Sequence, residues 1–436
     1  MITITAAVVT LGCRLNQADS ALLSDRLRKA GFQVVEEDYE DSPNLIVVNS
    51  CSVTATASRK TRQALAAIRR KHPYAYIVLT GCAAEIDKEE AADSADFDLL
   101  LPNTSKHMLE TMLERRFNIQ PAKTPHNTLS ENKKVFTEGA MSFFPFKTRA
   151  NLKIQEGCES FCTYCIVPYA RGPERSRDKA EVLADFRQLV GSGYREIVIA
   201  GVNICNYKCG NNDVVALLKE MLAVPGDYRI RLSSTEPGPM IPALADLIAA
   251  SPKLCRFLHL PLQSGTDSVL KAMGRKYTCE EYKKMVSYAR SKVPTLHVGA
   301  DWIVGFPGET EADFDASCKF VKSMNFANLH LFPFSPRKGT PAAAMPGRVS
   351  VDEMVRRLDV AKGLKNGCAN DFARSLIGTE ETVLVERLCT DNIYEGLTGN
   401  YVRVRFRSKD DVNGAFCKVR IISVSEEGIV VAKRID

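Results

Sequence analysis

Several common signatures are missing from this 436-residue chain. No apolar run approaches the roughly 18 residues of a membrane helix, which predicts a cytoplasmic protein without a membrane partner. The N-terminal MITITAAVVTLGC carries no basic residue and its Thr residues alternate with apolar ones, so it indicates a strand and not a secretory signal. A P-loop, a G-x-G-x-x-G fingerprint and an H-E-x-x-H pair are also missing. The chemistry must therefore lie in other residues.

Composition describes an ordinary folded chain that is long enough for two or three domains. Hydrophobic residues make up 45% and charged residues 25%. The net charge of +6 comes from a surplus of Lys and Arg in residues 118–374, which argues only weakly for a nucleic-acid partner. In a cytoplasmic protein, 14 Cys residues indicate reduced thiols and metal ligands rather than disulfides.

Three cysteines lie close together in QEGCESFCTYCIVPYARGPERSR. Cys158, Cys162 and Cys165 have the spacing C-x3-C-x2-C, which matches neither the separated pairs of a structural zinc site nor the ferredoxin pattern. Three thiolates would bind three irons of a four-iron cluster and leave the fourth open to another ligand. Gly157 would let the backbone approach such a cluster, and the aromatic Tyr164 lies beside its last ligand.

Residues 1–117 alternate strands and helices, which predicts a doubly wound parallel sheet. Cys13, Cys51 and Cys82 each follow the end of a predicted strand, where ligands bind in such sheets. The three loops therefore predict a second three-thiolate site, although Cys is also a common small buried residue. The helix between Ala55 and His72 carries six basic residues and no acid, which suits either phosphate contact or a solvated face.

After a predicted connection at 118–148, residues 149–374 contain six strand-helix units. This pattern predicts a partial, parallel (β/α)6 barrel with its site at the strand C-termini. Ten polar residues or glycines lie at those ends and are candidates for holding an adenosine or a substrate, although each could instead be a cap or turn residue: Gly201, Asn203, Ser234, Glu236, Gln263, Ser264, Asp301, Gly305, Ser335 and Arg337. His259, His297 and His330 lie within strands, and we interpret them as core histidines.

The last segment, 375–436, turns to short strands and predicts a small all-β barrel. In YVRVRFRS, the period of two places Arg403, Arg405 and Arg407 on one face. Three like charges on one exposed face would repel one another unless a polyanion such as RNA crosses them. A solvated, charged edge strand is the alternative.

Taken together, these motifs resemble the methylthiotransferase family of radical S-adenosylmethionine (radical SAM) enzymes over nearly the whole chain. The matching segments are LGCRLNQADS, NSCSVT, TGC, GCESFCTYCIVPYARGPERSR, LHLPLQSGTDSVLKAMGRKY, DWIVGFPGET and HLFPFSPRKGTPA. FCTYCIVPYARG and FPFSPRKGTPA look most similar to the MtaB-type branch, which modifies N6-threonylcarbamoyladenosine beside the tRNA anticodon. The loop AGVNICNYKCG departs from the GGE pattern of many radical SAM enzymes.

The resemblance implies SAM and two [4Fe-4S] clusters as cofactors, with one cluster on Cys158, Cys162 and Cys165 and an auxiliary cluster on the other three cysteines. It also implies a C-terminal TRAM-like RNA-binding domain, a tRNA anticodon stem-loop as substrate, a reducing electron donor and a sulfur source, and we expect a monomer. A substrate carboxylate needs a cation, for which Arg171 and Arg337 are candidates, with Ser335 as a donor. The alternatives are isopentenyladenosine, a ribosomal-protein side chain, or a non-catalytic iron-sulfur protein that binds RNA.

Overall fold

A five-stranded parallel sheet begins the chain in the computed structural model, which describes residues 4–36, 42–87, 95–119, 134–138 and 148–436. Its strands are β1 Thr5–Thr10, β2 Gln33–Val35, β3 Leu45–Ser50, β4 Tyr76–Gly81 and β5 Leu99–Leu101, in the order β2-β1-β3-β4-β5. The helices are α1 Arg14–Lys29, α2 Ala55–Lys71, α3 Cys82–Ile86 and Leu109–Phe117, with a 3-10 turn at Asn103–Met108. The predicted doubly wound sheet is confirmed.

Both faces of this sheet carry apolar cores. In β3, Val47 belongs to the core with Leu27 on one face, and Val48 belongs to the core with Leu65 on the other, as alternate side chains of a strand require. Helix α1 begins at Arg14, whereas the sequence pattern predicts that it begins five residues later, at Asp19. The first turns of α1 bury polar residues whose partners lie in other elements. These turns therefore lack the apolar periodicity that would identify them as helical.

The second body contains six parallel strands in chain order with helices outside them. The strands are β7 Arg149–Lys153, β10 Glu196–Ala200, β13 Arg229–Leu232, β14 Phe257–His259, β15 His297–Val304 and β16 Asn328–Pro333. The helices are Val167–Arg171, Lys179–Gly191, Val214–Leu222, Ile241–Ala250, Asp267–Ala272, Cys279–Lys292, Glu311–Met324 and Val351–Ser375, with 3-10 turns at Ile204–Asn206 and Pro341–Ala344. The strands form two hydrogen-bonded sheets, β13-β10-β7 and β14-β15-β16, and an isolated parallel bridge joins Ile230 to Leu254 between them. The partial barrel is therefore present as two half-sheets.

Five short strands decorate this body: β6 Val135–Phe136, β8 Gln155–Glu156, β9 Arg175–Arg177, β11 Lys208–Cys209 and β12 Asn212–Asp213. Most of the predicted connection at 118–148 lies outside the described residues. Its described part contributes β6, which pairs in parallel with β9. The boundaries predicted at 117, 148 and 374 remain predictions.

The C-terminal body is a closed barrel of antiparallel neighbours with one parallel pair, in the order β17-β18-β19-β21-β20. Its strands are β17 Glu380–Thr390, β18 Ile393–Thr398, β19 Arg403–Arg407, β20 Phe416–Val424 and β21 Val430–Arg434. The predicted barrel is confirmed, and Val404 and Phe406 of β19 are buried as the alternation requires. Strand β18 is not among the predicted strands because its Glu395 and Gly396 interrupt the apolar pattern.

The loop at 397–401, which includes the last two residues of β18, joins this barrel to the second body. Arg229 donates to the carbonyl of Leu397 at 2.7 Å, and Arg231 donates to the carbonyl of Gly399 at 3.1 Å. The Tyr401 ring lies under the Arg231 guanidinium, 4.9 Å from its centroid, and the Tyr401 hydroxyl accepts from Nη2 of Arg14 at 2.6 Å. One loop therefore contacts both other bodies. Across the described ranges, no helix has the length and apolar character to span a bilayer.

Candidate active site

The central cysteines lie in the loop between β8 and the helix Val167–Arg171. Cys162 is buried, while Cys158 and Cys165 are half-buried. The backbone N–H of Ser160 points at Sγ of Cys158 at 3.4 Å, and Nη1 of Arg275 lies 3.4 Å from Sγ of Cys162. Burial raises the pKa of Cys165 to about 12. The thiol of Cys165 therefore needs a positive group such as a metal to become a thiolate.

Gly157 has a different role from the one that the sequence suggests. Its φ is +74°, and a Cβ at this position would lie 1.9 Å from the carbonyl oxygen of Pro173. The residue must be glycine because the returning chain at Gly172 and Pro173 occupies that space. The close approach is between two backbone segments.

The three central thiols share a cavity of about 330 Å³ with the strand ends. Seven of the residues predicted to hold cofactor or substrate line it: Tyr164, Asn203, Ser234, Glu236, Gln263, Asp301 and Ser335. Gln155, at the end of the first barrel strand, accepts from the backbone N–H groups of Val202 and Asn203 at 2.9 Å each, which holds the departing AGVN loop against the cavity.

Three other predicted residues lie away from this cavity. Ser264 is fully buried with its Oγ 3.5 Å from Oγ of Ser317. Gly305 has φ of +74° and donates its N–H to Oε2 of Glu309 at 2.7 Å, as part of a turn. Gly201 packs against Gln155 and Ile204. Their polar or small character serves packing and turns, and contact of these three with a cofactor stays a prediction.

Sequence reasoning missed two contributors to the cavity. Arg275 from KAMGRKY donates to Glu236 and contacts Cys162. His259 also lines the cavity, with Nε2 3.0 Å from Oδ1 of Asp301. Ligand atoms of His259, Asp301 and His330 lie within 4.8 Å of one another, so His259 is not an ordinary core histidine. His259 is the last residue of β14, and its position at a strand C-terminus could have identified it from the sequence.

The N-terminal cysteines converge as the sequence predicts, each within three residues of the end of β1, β3 or β4. Gly12 and Cys51 meet so closely that a Cβ on Gly12 would lie 2.5 Å from Cβ of Cys51. Burial, with smaller contributions from the neighbouring Cys82 and Cys13, raises the pKa of Cys51 to about 11. The three thiols are close enough to interact electrostatically. Together they form a set of sulfur donors that suits a metal cluster.

The cavity of the central thiols reaches the segment that follows one of the N-terminal thiols. Val53 and Thr54, which follow Cys51, line the cavity of the central thiols. The backbone N–H of Ala55, at the start of α2, donates to Oγ of Ser335 at 3.0 Å. Residues of the N-terminal body therefore form part of the wall of a cavity that is lined mainly by the second body.

Two arginines predicted to grip substrate are already engaged. Arg171 is buried and is bound by Asp19 and Glu156, so its assignment as a substrate cation is wrong. Arg337 lines a neighbouring cavity of about 540 Å³ with Arg62. Its Nη2 donates to Ser52 and Asp87 at 2.7 and 3.1 Å, but its buried Nε has no hydrogen-bond partner among the described residues.

Two of the three arginines on the face of β19 form ion pairs within the protein. Arg403 and Arg405 each donate to Glu395 at 2.9 Å, and Arg403 also pairs with Glu386. Burial opposes ionisation, but hydrogen bonds from the surrounding arginines lower the pKa of Glu395 to about 2. The argument that these arginines would repel one another without a polyanion is therefore wrong. Their side chains still remain about half exposed, and RNA contact stays a prediction.

Comparisons with known proteins agree with this architecture. Residues 152–321 match the radical SAM superfamily, and residues 5–102 match a family described as "uncharacterized protein family UPF0004". Among solved structures, the chain is similar to the radical SAM methyltransferase TsrM from Kitasatospora setae, with a TM-score of 0.57, 17% identity, and 78% of this chain and 77% of that chain covered. The fold and the three-thiol loop together define a radical SAM enzyme.

Full-length relatives give the family. The chain is 35% identical to the threonylcarbamoyladenosine tRNA methylthiotransferase MtaB of Thermotoga maritima, covering 98% of this chain and 96% of that protein. It is 34% identical to a tRNA-2-methylthio-N(6)-dimethylallyladenosine synthase of Anaplasma marginale, covering 97% and 94%. The chain belongs to the family of radical SAM tRNA methylthiotransferases. Its cofactors are those of the family, SAM and two [4Fe-4S] clusters, and its reaction is tRNA methylthiolation.

Proposed function

We propose that this enzyme methylthiolates carbon 2 of N6-threonylcarbamoyladenosine next to the tRNA anticodon, giving 2-methylthio-N6-threonylcarbamoyladenosine. Cys158, Cys162 and Cys165 hold the cluster that binds SAM, and Cys13, Cys51 and Cys82 hold the auxiliary cluster. The observation that carries the proposal is that the segment after Cys51 borders the cavity of the central thiols. Because Val53 and Thr54 line this cavity, a base placed there would lie next to the loop of Cys51 as well as the central thiols.

Bound SAM and the two clusters supply the radical and sulfur chemistry that an unactivated C–H bond requires. The chain's own residues bind, orient and exclude water. Tyr164, Asn203, Ser234, Glu236, Gln263 and Asp301 are the residues that would hold SAM and the adenine in the cavity. Arg275 adds a buried cation beside Cys162, in contact with Glu236, and suits the carboxylate of SAM.

The substrate assignment depends on the polarity of the adenine substituent. A threonylcarbamoyl group brings a carboxylate and a urea, which need donors and a cation in a closed site. Arg337 lines the neighbouring cavity, and its buried Nε has no hydrogen-bond partner among the described residues. Four of the similar relatives are named for the threonylcarbamoyl substrate. The second candidate is isopentenyladenosine, because Phe332 and Phe334 give the cavity an apolar wall.

Matched anticodon stem-loops bearing either modification test this assignment. We expect a higher kcat/KM on the threonylcarbamoyl stem-loop. Arg337→Ala should lower the ratio of the two kcat/KM values roughly 10- to 100-fold, because a hydrogen bond to a charged group contributes about 1.5–3 kcal/mol. The ratio is informative because a general loss of stability affects both substrates equally.

Arg62→Ala is the matched control, since Arg62 lines the same neighbouring cavity from helix α2. As a phosphate contact it would weaken both stem-loops alike and leave the ratio unchanged. Equal or better turnover of the isopentenyl stem-loop by the unaltered enzyme would contradict the substrate assignment.

A separate prediction concerns RNA binding by the face of β19. Changing Arg403, Arg405 and Arg407 to Gln should flatten the plot of log affinity against log salt by roughly 2 to 3, at about 0.7 to 0.9 per lost phosphate contact. Gln keeps a hydrogen-bond donor for Glu395, so the barrel should stay folded. Binding of an anticodon stem-loop at several salt concentrations measures the slope.

Arg420→Gln provides the comparison, because Arg420 is an exposed arginine of β20 that pairs with Glu380 at 2.6 Å. It should leave the slope unchanged. The same slope for the triple variant and the unaltered enzyme would mean that the β19 face is only a solvated surface.

A further inference from the structure

A buried network of charges joins α1 to the start of the barrel. Lys153 lies 2.7 Å from Asp19, and Arg171 lies 3.2 Å from both Asp19 and Glu156. The network among the described residues joins four cations to three carboxylates: Lys106, Lys153, Arg171 and Arg175 with Asp19, Glu138 and Glu156. Burying a network of this kind is costly unless its charges compensate one another.

Arg171 is the member of this network that reaches the auxiliary thiols. It ends the helix Val167–Arg171, which begins just after Cys165 and packs against α3, whose first residue is Cys82. Its guanidinium donates to Oδ1 of Asn16. The side chain of Arg171 is 98% buried, and the Oδ1 of Asn16 that it contacts lies 4.0 Å from Sγ of Cys13.

Asn16 extends this contact to the two remaining loops. Its Nδ2 donates to the carbonyls of Leu11 at 2.7 Å and Ser50 at 2.8 Å. These carbonyls shortly precede Cys13 and Cys51 in the chain. A single arginine thus supports all three loops that carry the auxiliary thiols.

Arg171 therefore places a buried positive charge beside the loops of the auxiliary thiols. A four-iron cluster on three thiolates carries net negative charge, and such charge is a determinant of its reduction potential.

We propose that Arg171 is a positioning residue of the auxiliary cluster: its buried guanidinium compensates the negative charge of the cluster and raises its reduction potential. The inference rests on the proposed assignment of Cys13, Cys51 and Cys82 as ligands. It gives Arg171 a role in the protein rather than in holding the substrate.

The test uses the full chain with Cys158, Cys162 and Cys165 changed to Ala, so that only the auxiliary cluster contributes. In this background, Arg171→Gln should keep about four irons and move the midpoint potential lower by a tenfold or larger change in the reduction equilibrium, about 59 mV for one electron. Arg171→Lys keeps the charge and should stay nearer the unaltered potential. An EPR-monitored redox titration measures each value.

Arg26→Gln is the matched control, because Arg26 is also a buried arginine that pairs with a carboxylate, that of Glu110. It should leave the potential unchanged. A cluster that is lost from Arg171→Gln but kept by Arg171→Lys at the unaltered potential supports the proposal, since only the charge distinguishes them. An unchanged potential in Arg171→Gln, or loss of the cluster from both Arg171 variants, overturns it. Absence of iron from the background protein itself would instead refute the ligand assignment.

Discussion

Replacing Cys158, Cys162 and Cys165 with Ala should abolish the cleavage of SAM to 5′-deoxyadenosine and leave about four irons per chain. The reason is that the two thiol groups belong to separate bodies, with the N-terminal three held on β1, β3 and β4. Iron analysis and product quantification on reconstituted protein measure both effects. Total loss of reaction is the largest change that we expect from any variant.

The reciprocal variant, with Cys13, Cys51 and Cys82 changed to Ala, serves as its counterpart. It should also keep about four irons, yet still cleave SAM without transferring sulfur to tRNA. If either triple variant retained the iron content of the unaltered enzyme, the assignment of ligands would be wrong.

Glu196→Ala should lower the free energy of unfolding by about 3–5 kcal/mol, the usual cost of breaking a buried ion pair. Glu196 is fully buried and pairs with Arg231 at 2.7 Å and Arg229 at 2.6 Å. Its removal leaves two buried guanidinium groups without their carboxylate. Urea unfolding, followed through the midpoint of the transition, measures the change.

The neighbouring surface pair gives the control for this prediction. Arg195 and Asp227 lie 2.6 Å apart with 37% and 73% of their side chains exposed. Asp227→Ala should therefore cost at most about 1 kcal/mol. If both variants were equally stable, the Glu196 cluster would contribute no more than an exposed pair.

Sequence reasoning located the six thiols because they depend on local rules. Cys13, Cys51 and Cys82 follow parallel strands, and such strand ends meet at one edge of a sheet. The strand-end residues that line the cavity, such as Asn203 and Gln263, are found by the same rule. The rule fails for Ser264 and Gly305, because a position at a strand end does not say whether a side chain turns toward the cavity or into a helix contact.

The partners of charged residues could not be predicted because they come from distant segments. Arg171 and Asp19 are 152 positions apart, so no local pattern shows that Arg171 is already engaged. The pairing of Arg403 with Glu395 needs the register of β18 and β19, and β18 has too weak an apolar pattern to be recognised. In both cases the error was to treat a cation as available because its partner was not visible.

The loop at 397–401 has a consequence for engineering and for the evolution of this chain. Tyr401 lies two residues before the arginine-bearing strand β19, and it binds Arg14, the residue that follows Cys13. The C-terminal barrel is therefore not an independent cassette. In a chimera with a different C-terminal barrel, the new barrel would have to supply equivalent carbonyls for Arg229 and Arg231 and a ring in the place of Tyr401. Without them, the contacts between the C-terminal barrel and the second body would be lost.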